Sequence, residues 1–353
     1  MREPKGIRSG APGYQPGAPG GSLRLARVAA AALCLWSLLA LSPLQAGTPE
    51  SATAPRESAP ATLKLATWNL EWLLTPETFN ALKHHCNPAG APRRGASRSI
   101  PCDVAADLER SASDLAGLAR YARSLDADVI ALQEVDGANA ARQIFPRYEF
   151  CFTGGSAVQN TGFAIRRGLP FRCGADVAAL SLGESVRRGA TLVLFPGTRR
   201  ELHLLAVHLK SGCARAQLDS RDYACERLAR QGPALREWLQ HEARPGARFA
   251  MLGDFNRDLL GEYRAGNEAA SGLWAQLQGS ASGLLLNTAQ GQPYRNCRIG
   301  QPHRGYIDYI LLGGALRESL LSGSFERLSY AAADAWRLKL SDHCPVAVKL
   351  RID

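Results

Sequence analysis

Short apolar runs that stop on a polar residue recur along this chain. Val129-Ile130-Ala131-Leu132 runs into Gln133-Glu134, Leu204-Leu205-Ala206-Val207 into His208, and Phe249-Ala250-Met251-Leu252 into Gly253-Asp254. Leu63-Lys64-Leu65-Ala66-Thr67-Trp68 leads into Asn69 in the same way. Nearly continuous apolar runs of this length are the pattern of strands covered on both faces. A buried charge is costly without a partner. Polar residues at the ends of buried strands escape that cost by converging on one site. Singly, each reads equally well as a strand cap or a turn former, and only the joint pattern points to a site.

Eight segments read as strands: 63–70, 128–135, 161–166, 190–195, 201–209, 248–255, 306–312 and 346–352. Helical spacing lies between some of them. Leu108, Leu115, Leu118 and Leu125 share a face over 107–125, and Leu228, Leu235, Trp238 and Leu239 do so over 221–242. No internal repeat and no further boundary interrupts the chain after residue 61. The reading is one α/β domain over 62–353.

The residues before it differ in kind. Arg24 and Arg27 precede an apolar run from Val28 to Leu41, and Ser42-Pro43-Leu44-Gln45-Ala46 follows. That run is shorter than the about 20 residues of a comfortable membrane span, so 1–46 reads as a signal peptide cut before Gly47. Residues 47–61 read as a linker. The expected location is secreted or periplasmic, without stable membrane insertion after cleavage, as a monomer.

The whole chain carries a formal charge of +10, and residues 47–353 keep +6. That suits a polyanionic partner such as nucleic acid. Eight cysteines remain after Cys34 leaves with the leader, and in an exported chain they suggest four disulfides. Proximity along the chain suggests Cys86–Cys102, Cys151–Cys173 and Cys213–Cys225, leaving Cys297–Cys344. No CxxC spacing supports a zinc site instead. Two irregular stretches are rich in basic residues. One, 83–102, holds His84, His85, Arg93, Arg94 and Arg98; the other, 287–305, holds Arg295, Arg298, His303 and Arg304. Both are candidate substrate-facing loops.

The motifs Thr67-Trp68-Asn69-Leu70, Leu132-Gln133-Glu134-Val135, His208-Leu209-Lys210, Gly253-Asp254-Phe255-Asn256, Ile307-Asp308-Tyr309 and Ser341-Asp342-His343 resemble those of the endonuclease/exonuclease/phosphatase superfamily. They follow the family's order and span most of the domain. The resemblance implies a four-layer α/β sandwich, with two central mixed β-sheets flanked by helices. It also implies phosphoester hydrolysis assisted by a hard divalent cation, Mg²⁺ with Mn²⁺ or Ca²⁺ as alternatives. By that resemblance Glu134, Asn69 and Asp342 hold the metal. Asp308 orients His343, the general base is shared between His343 and Asp254, and Asn256 and His208 bond the phosphoryl oxygens. Lys210 is a candidate substrate-binding residue at the rim.

The favoured substrate is the DNA backbone, with RNA open, and the favoured activity is endonucleolytic. A sphingomyelinase-like or small-phosphate phosphatase is the alternative, and a non-catalytic binding module is a third. Membrane-acting relatives need an exposed apolar hairpin, and none is legible. Trp274 and Trp336 are isolated and read as core.

Overall fold

The computed structural model describes residues 61–87, 102–107, 109–154, 158–183, 186–266, 270–279, 283–287, 294–299, 301 and 305–352. The leader expected over 1–46 and all but the last residue of the linker lie outside these, as do Arg93, Arg94, Arg98, His303 and Arg304.

In chain order the elements are β1 (Thr62–Leu73), α1 (Pro76–His84), α2 (Cys102–Asp107), α3 (Ala112–Leu125), β2 (Val129–Val135), α4 (Gly137–Arg142), β3 (Tyr148–Phe152), β4 (Asn160–Arg166), β5 (Phe171–Cys173), β6 (Ala190–Leu194), β7 (Leu202–His208), α5 (Tyr223–Glu242), β8 (Arg248–Asp254), α6 (Leu259–Ala265), α7 (Leu273–Gln278), β9 (Leu285–Asn287), β10 (Asp308–Gly314), β11 (Glu326–Arg327), α8 (Ala332–Arg337) and β12 (Val346–Arg351). Each of the eight segments read as strands contains a strand. The short edge strands β3, β5, β9 and β11 escaped the sequence reading because two to five residues carry too little periodicity.

The strands form two six-stranded sheets, ordered β11-β12-β1-β2-β4-β3 and β5-β6-β7-β8-β10-β9. Each is mixed. β1 and β2 run parallel in the first, β7 and β8 run parallel in the second, and the other pairings are antiparallel. The two sheets pack face to face over a shared core that includes Leu65, Ala131, Phe163, Leu204, Leu252, Ile310 and Val348. Their outer faces are covered too. Leu118, Tyr121 and Leu125 of α3 pack on the first sheet with Trp68 and Leu132. Leu228, Leu235 and Leu239 of α5 pack on the second with Leu205 and Met251. Burial on both faces explains the continuous apolar runs, and the result is the expected four-layer sandwich.

The two long helices start later than the apolar spacing suggested, α3 at Ala112 rather than 107 and α5 at Tyr223 rather than 221, where capping residues precede them. Ser111 caps α3 in a capping box with Asp114, and the Asp222 carboxylate caps α5 by accepting from the Ala224 and Cys225 N–H groups. Among the described residues no helix is long and apolar enough to cross a membrane. The disulfides are Cys86–Cys102, Cys151–Cys173, Cys213–Cys225 and Cys297–Cys344. One core assignment is corrected. Trp274 is buried on α7, but Trp336 is 75% exposed, because the single short helix α8 buries none of its residues.

Candidate functional site

The two central parallel pairs run out at the same end of the sandwich. β1 delivers Asn69 in register with Gln133 of β2, and β7 delivers His208 in register with Asp254 of β8. Asp308 opens β10 directly opposite Asp254. The turn before β12 brings in Ser341, Asp342 and His343. Convergence of these ends creates a site that no single segment holds.

Local backbone geometry aims the side chains. The ladder on both sides of β2 breaks register near its end, and Glu134 takes φ +60° there. A bulge of this kind re-aims a side chain that regular pleating would point elsewhere. Asn256 likewise sits at φ +51°. Such non-glycine conformations persist only where the surroundings hold them, and they gather at functional sites. Gly253 sits at φ +149°, and a Cβ there would lie 2.0 Å from the Val207 carbonyl oxygen. Only glycine lets β7 and β8 approach closely enough to set His208 beside Asp254.

The centre of the cluster is Asp254 Oδ2. It accepts from Asn69 Nδ2 and Asn256 Nδ2, both at 3.1 Å, and lies 3.5 Å from His208 Nε2 and 3.8 Å from His343 Nε2. Asn69 Nδ2 also donates to Glu134 Oε1 at 3.1 Å, while its oxygen accepts the Glu71 N–H. His208 Nε2 is 3.6 Å from Glu134 Oε1. His343 Nδ1 and Asp308 Oδ2 are 2.8 Å apart, and Asp342 Oδ1 is 3.9 Å from His343 Nε2. The structure therefore brings together Asn69, Glu134, His208, Asp254, Asn256, Asp308, Asp342 and His343. Lys210 stands apart from this set, its ammonium donating to Ser211 O at 2.6 Å.

Charge in this buried space is set by neighbours. Burial pushes the Asp254 carboxyl up to about 7; His343 opposes the rise, while Asp308 and Glu134 add to it. Burial holds His208 well below the usual imidazole range, with the cations of Arg187 and His343 adding to the effect. Burial acts against charge on His343 as well, but Asp308, Asp254 and Asp342 outweigh it and raise the ring well above its ordinary value. A neutral and a charged imidazole thus flank one carboxylate.

The donor set suits a hard divalent cation. Glu134, Asp254 and Asp342 offer carboxylate oxygens, whereas the Asn69 amide turns its nitrogen toward Glu134 and Asp254 and its oxygen to the Glu71 N–H, so it would have to turn over to offer oxygen to a cation there. Asp254, Asp308 and His343 bring one ligand-type atom each within 4.8 Å of one another. Asp308 Oδ2 is taken by His343 Nδ1, while Asp308 Oδ1 is buried without a hydrogen-bond partner, and Asp254 and Glu134 add further carboxylate oxygens. A cation held among them would offset their charge.

Sequence reasoning missed the residues that hold the cluster. The Glu71 carboxylate accepts the Asp342 N–H at 3.0 Å and pairs with Arg298. Burial and Asp342 raise its pKa to about 7, against the pull of Arg298 and Arg110. The buried Arg110 guanidinium donates to the carbonyls of Leu70, Glu71, Trp72, Lys339 and Leu340, tying the end of β1 to the segment before Asp342. Ser341 Oγ donates to Asn69 O and accepts the His343 N–H. Trp68 Nε1 and Tyr330 Oη both donate to His343 O. Of these, Trp68 and Ser341 lay inside motifs and Arg298 in a candidate substrate-facing loop, while Glu71, Arg110 and Tyr330 carry no local signature.

Comparison with known proteins follows the same lines. The model of the Endonuclease/Exonuclease/phosphatase family matches residues 66–343. A solved structure of TDP2 from Caenorhabditis elegans is similar with a TM-score of 0.51 at 11% identity, over 82% of this chain and 74% of that one. An AP endonuclease from Archaeoglobus fulgidus is similar with a TM-score of 0.50 at 14% identity, over 81% of this chain and 98% of that one. No curated protein sequence matches the chain.

Proposed function

Because this chain belongs to the Endonuclease/Exonuclease/phosphatase family, whose members are divalent-metal-dependent hydrolases of phosphoester bonds, we propose that it is an exported nuclease cutting DNA within the strand. The observation that carries the chemistry is the His343–Asp308 pair at 2.8 Å, set against the buried Asp254. In this reading residues 1–46 are the export signal, 47–61 a linker and 62–353 the hydrolase domain.

Glu134, Asn69 and Asp342 would hold the cation, Mg²⁺ or with Mn²⁺ or Ca²⁺ in its place, which supplies Lewis-acid polarisation of the phosphoryl group. Asp308 accepts from His343 Nδ1, so Nε2 is the nitrogen left to meet the substrate. Asp254 takes the proton of the attacking water, and His343 Nε2 donates to an oxygen on which charge builds. Asn256 and His208 add donors aimed at the same phosphoryl oxygens. The His343 ring is held by Asp308 before substrate arrives, whereas the Asn256 amide, bonded to Leu209 O and Asp254 Oδ2, would exchange one of these partners for a phosphoryl oxygen.

The charge of +6 over residues 47–353 supports nucleic acid as the polyanion. So does Arg298, placed beside the site through Glu71. Contacts of this kind bind backbone phosphates without reading bases. The test is a substrate panel on the oxidised protein lacking 1–46, supplied with Mg²⁺, Mn²⁺ or Ca²⁺. Closed circular plasmid should be nicked, and chelation or His343→Ala should abolish nicking. Intact plasmid and RNA alongside hydrolysed sphingomyelin or inositol phosphate would replace the nuclease reading with the alternative one.

A further inference from the structure

A second cluster of ligand-type side chains lies at the far end of the strand that carries His208. His203 is the second residue of β7, five residues before His208 and so about 17 Å from it along the strand. Its ring meets the last turn of α5. His203 Nε2 and Glu201 Oε1 are 2.9 Å apart, and His203 Nδ1 is 2.8 Å from Glu242 Oε2. The other Glu242 oxygen, Oε1, is 3.1 Å from His241 Nδ1. One carboxylate therefore turns an oxygen toward each of two imidazoles, and a second carboxylate holds the far side of one ring. Glu242 is buried, and its Oε2, although close to Nδ1, takes no hydrogen bond. The contact is short without being aligned for one. The Arg244 guanidinium, mostly exposed, is 3.8 Å from that oxygen. Glu242 also ends α5, where the helix dipole is negative and disfavours a carboxylate.

A ring that donates Nε2–H to Glu201 keeps its lone pair on Nδ1. Nδ1 and Oε2 then face each other as two acceptors in a buried place, and a buried charge is costly unless it is paired. A proton or a cation between them relieves that cost. The residue types are those of a transition-metal site: two imidazoles and a carboxylate as ligands, with an outer carboxylate fixing the tautomer of one ring. Imidazole nitrogens suit zinc, whereas Mg²⁺ takes oxygen. His241 is 73% exposed, so its ring can turn onto a metal without disturbing the core.

We propose that His203 Nδ1, Glu242 and His241 form a zinc-binding site, with Glu201 orienting His203 through Nε2 and water completing the tetrahedron. The ion fastens the end of α5 to the start of β7. This site shares no residue with the hydrolytic centre and does not depend on the phosphoesterase reading.

The experiment titrates Zn²⁺ into the oxidised protein by calorimetry. Glu134→Gln serves as the background, because it removes a carboxylate of the hydrolytic centre and so separates zinc bound there. This background should retain one Zn²⁺, which is lost when His203→Gln is added and bound at least tenfold more weakly when His241→Ala is added. Saturating Zn²⁺ should raise the melting midpoint of the background by several degrees, because an ion that binds the folded state stabilises it. Adding His203→Gln should remove that gain. His241 is exposed, so His241→Ala decides the matter if the His203 variant does not fold. The proposal is overturned if the Glu134→Gln protein binds no Zn²⁺, or if its zinc affinity stays within twofold when His203 or His241 is replaced.

Discussion

His343 Nδ1 sits 2.8 Å from Asp308 Oδ2, and the remaining nitrogen, Nε2, lies 3.8 Å from Asp254 Oδ2. The imidazole lies between two carboxylates, one within hydrogen-bond distance of Nδ1 and the other near Nε2. The His343 backbone is held as well, its N–H by Ser341 Oγ and its carbonyl by Tyr330 and Trp68. The ring is thus positioned before any substrate binds.

Asp308→Asn keeps the shape of this pair but removes the charge that orients and charges the ring. We expect turnover to fall by roughly 10²–10³-fold, in the range of general acid–base contributions, with the unfolding midpoint little changed. Steady-state kinetics on plasmid or bis(p-nitrophenyl) phosphate, paired with a circular-dichroism melt, checks this. Unchanged turnover would remove Asp308 from the mechanism.

Glu134 is the carboxylate best placed to anchor a cation with Asn69. A cation that binds only the folded state stabilises it by about 2.7 kcal/mol at one hundred times its dissociation constant. The parent should therefore melt several degrees higher in saturating Mg²⁺, and Glu134→Gln should lose most of that gain. Thermal scans with and without Mg²⁺ read the effect without any substrate present.

Arg110 fastens β1 to the Asp342 segment through five carbonyl oxygens. Arg110→Met leaves those oxygens without their donor and leaves the buried Glu71 with one fewer cation. Removing one partner of a buried charged network costs about 3–5 kcal/mol. Urea unfolding should show a loss of that order, and turnover should drop with it because Asn69 and Asp342 lose their common anchor.

Asp114 supplies the pH-dependent case. Burial works against its charge, but Ser111 Oγ, the Ser111 N–H and the Lys339 N–H hold the carboxyl below its ordinary value. With the folded value depressed, the stabilisation is fully present above about pH 3.9, the usual unfolded value. It is lost as pH falls through the folded value. The parent should therefore lose more stability than Asp114→Asn between pH 5 and pH 3, and the variant should be about 1 kcal/mol weaker at pH 7, as for a lost helix cap. Urea midpoints across that range test both statements.

How much was legible follows from what is local. The strands that form the centre of each sheet announce themselves, because burial on both faces forces an unbroken apolar run that any reader of the chain can see. The polar residues that end those runs are legible for the same reason: a buried strand has few places to carry Asn69, Glu134, His208 or Asp254. Trp336 shows the limit, since its exposure depends on whether α8 finds a partner rather than on its own hydrophobicity.

The sequence by itself determined the two-sided strands, their polar ends, the order of the motifs and the excess of basic charge. Only the tertiary structure decided which ends meet, and therefore which neighbours set each charge. Asn69 reaches Asp254 across the gap between two sheets, Arg187 shares the Leu209 carbonyl with Asn256, and Glu71 joins Asp342 to Arg298. These contacts link residues far apart in the chain through single hydrogen bonds, which leave no periodicity behind. Burial and Coulomb interactions depend on distance in space, so the charge state of the site appears only once the two sheets have packed.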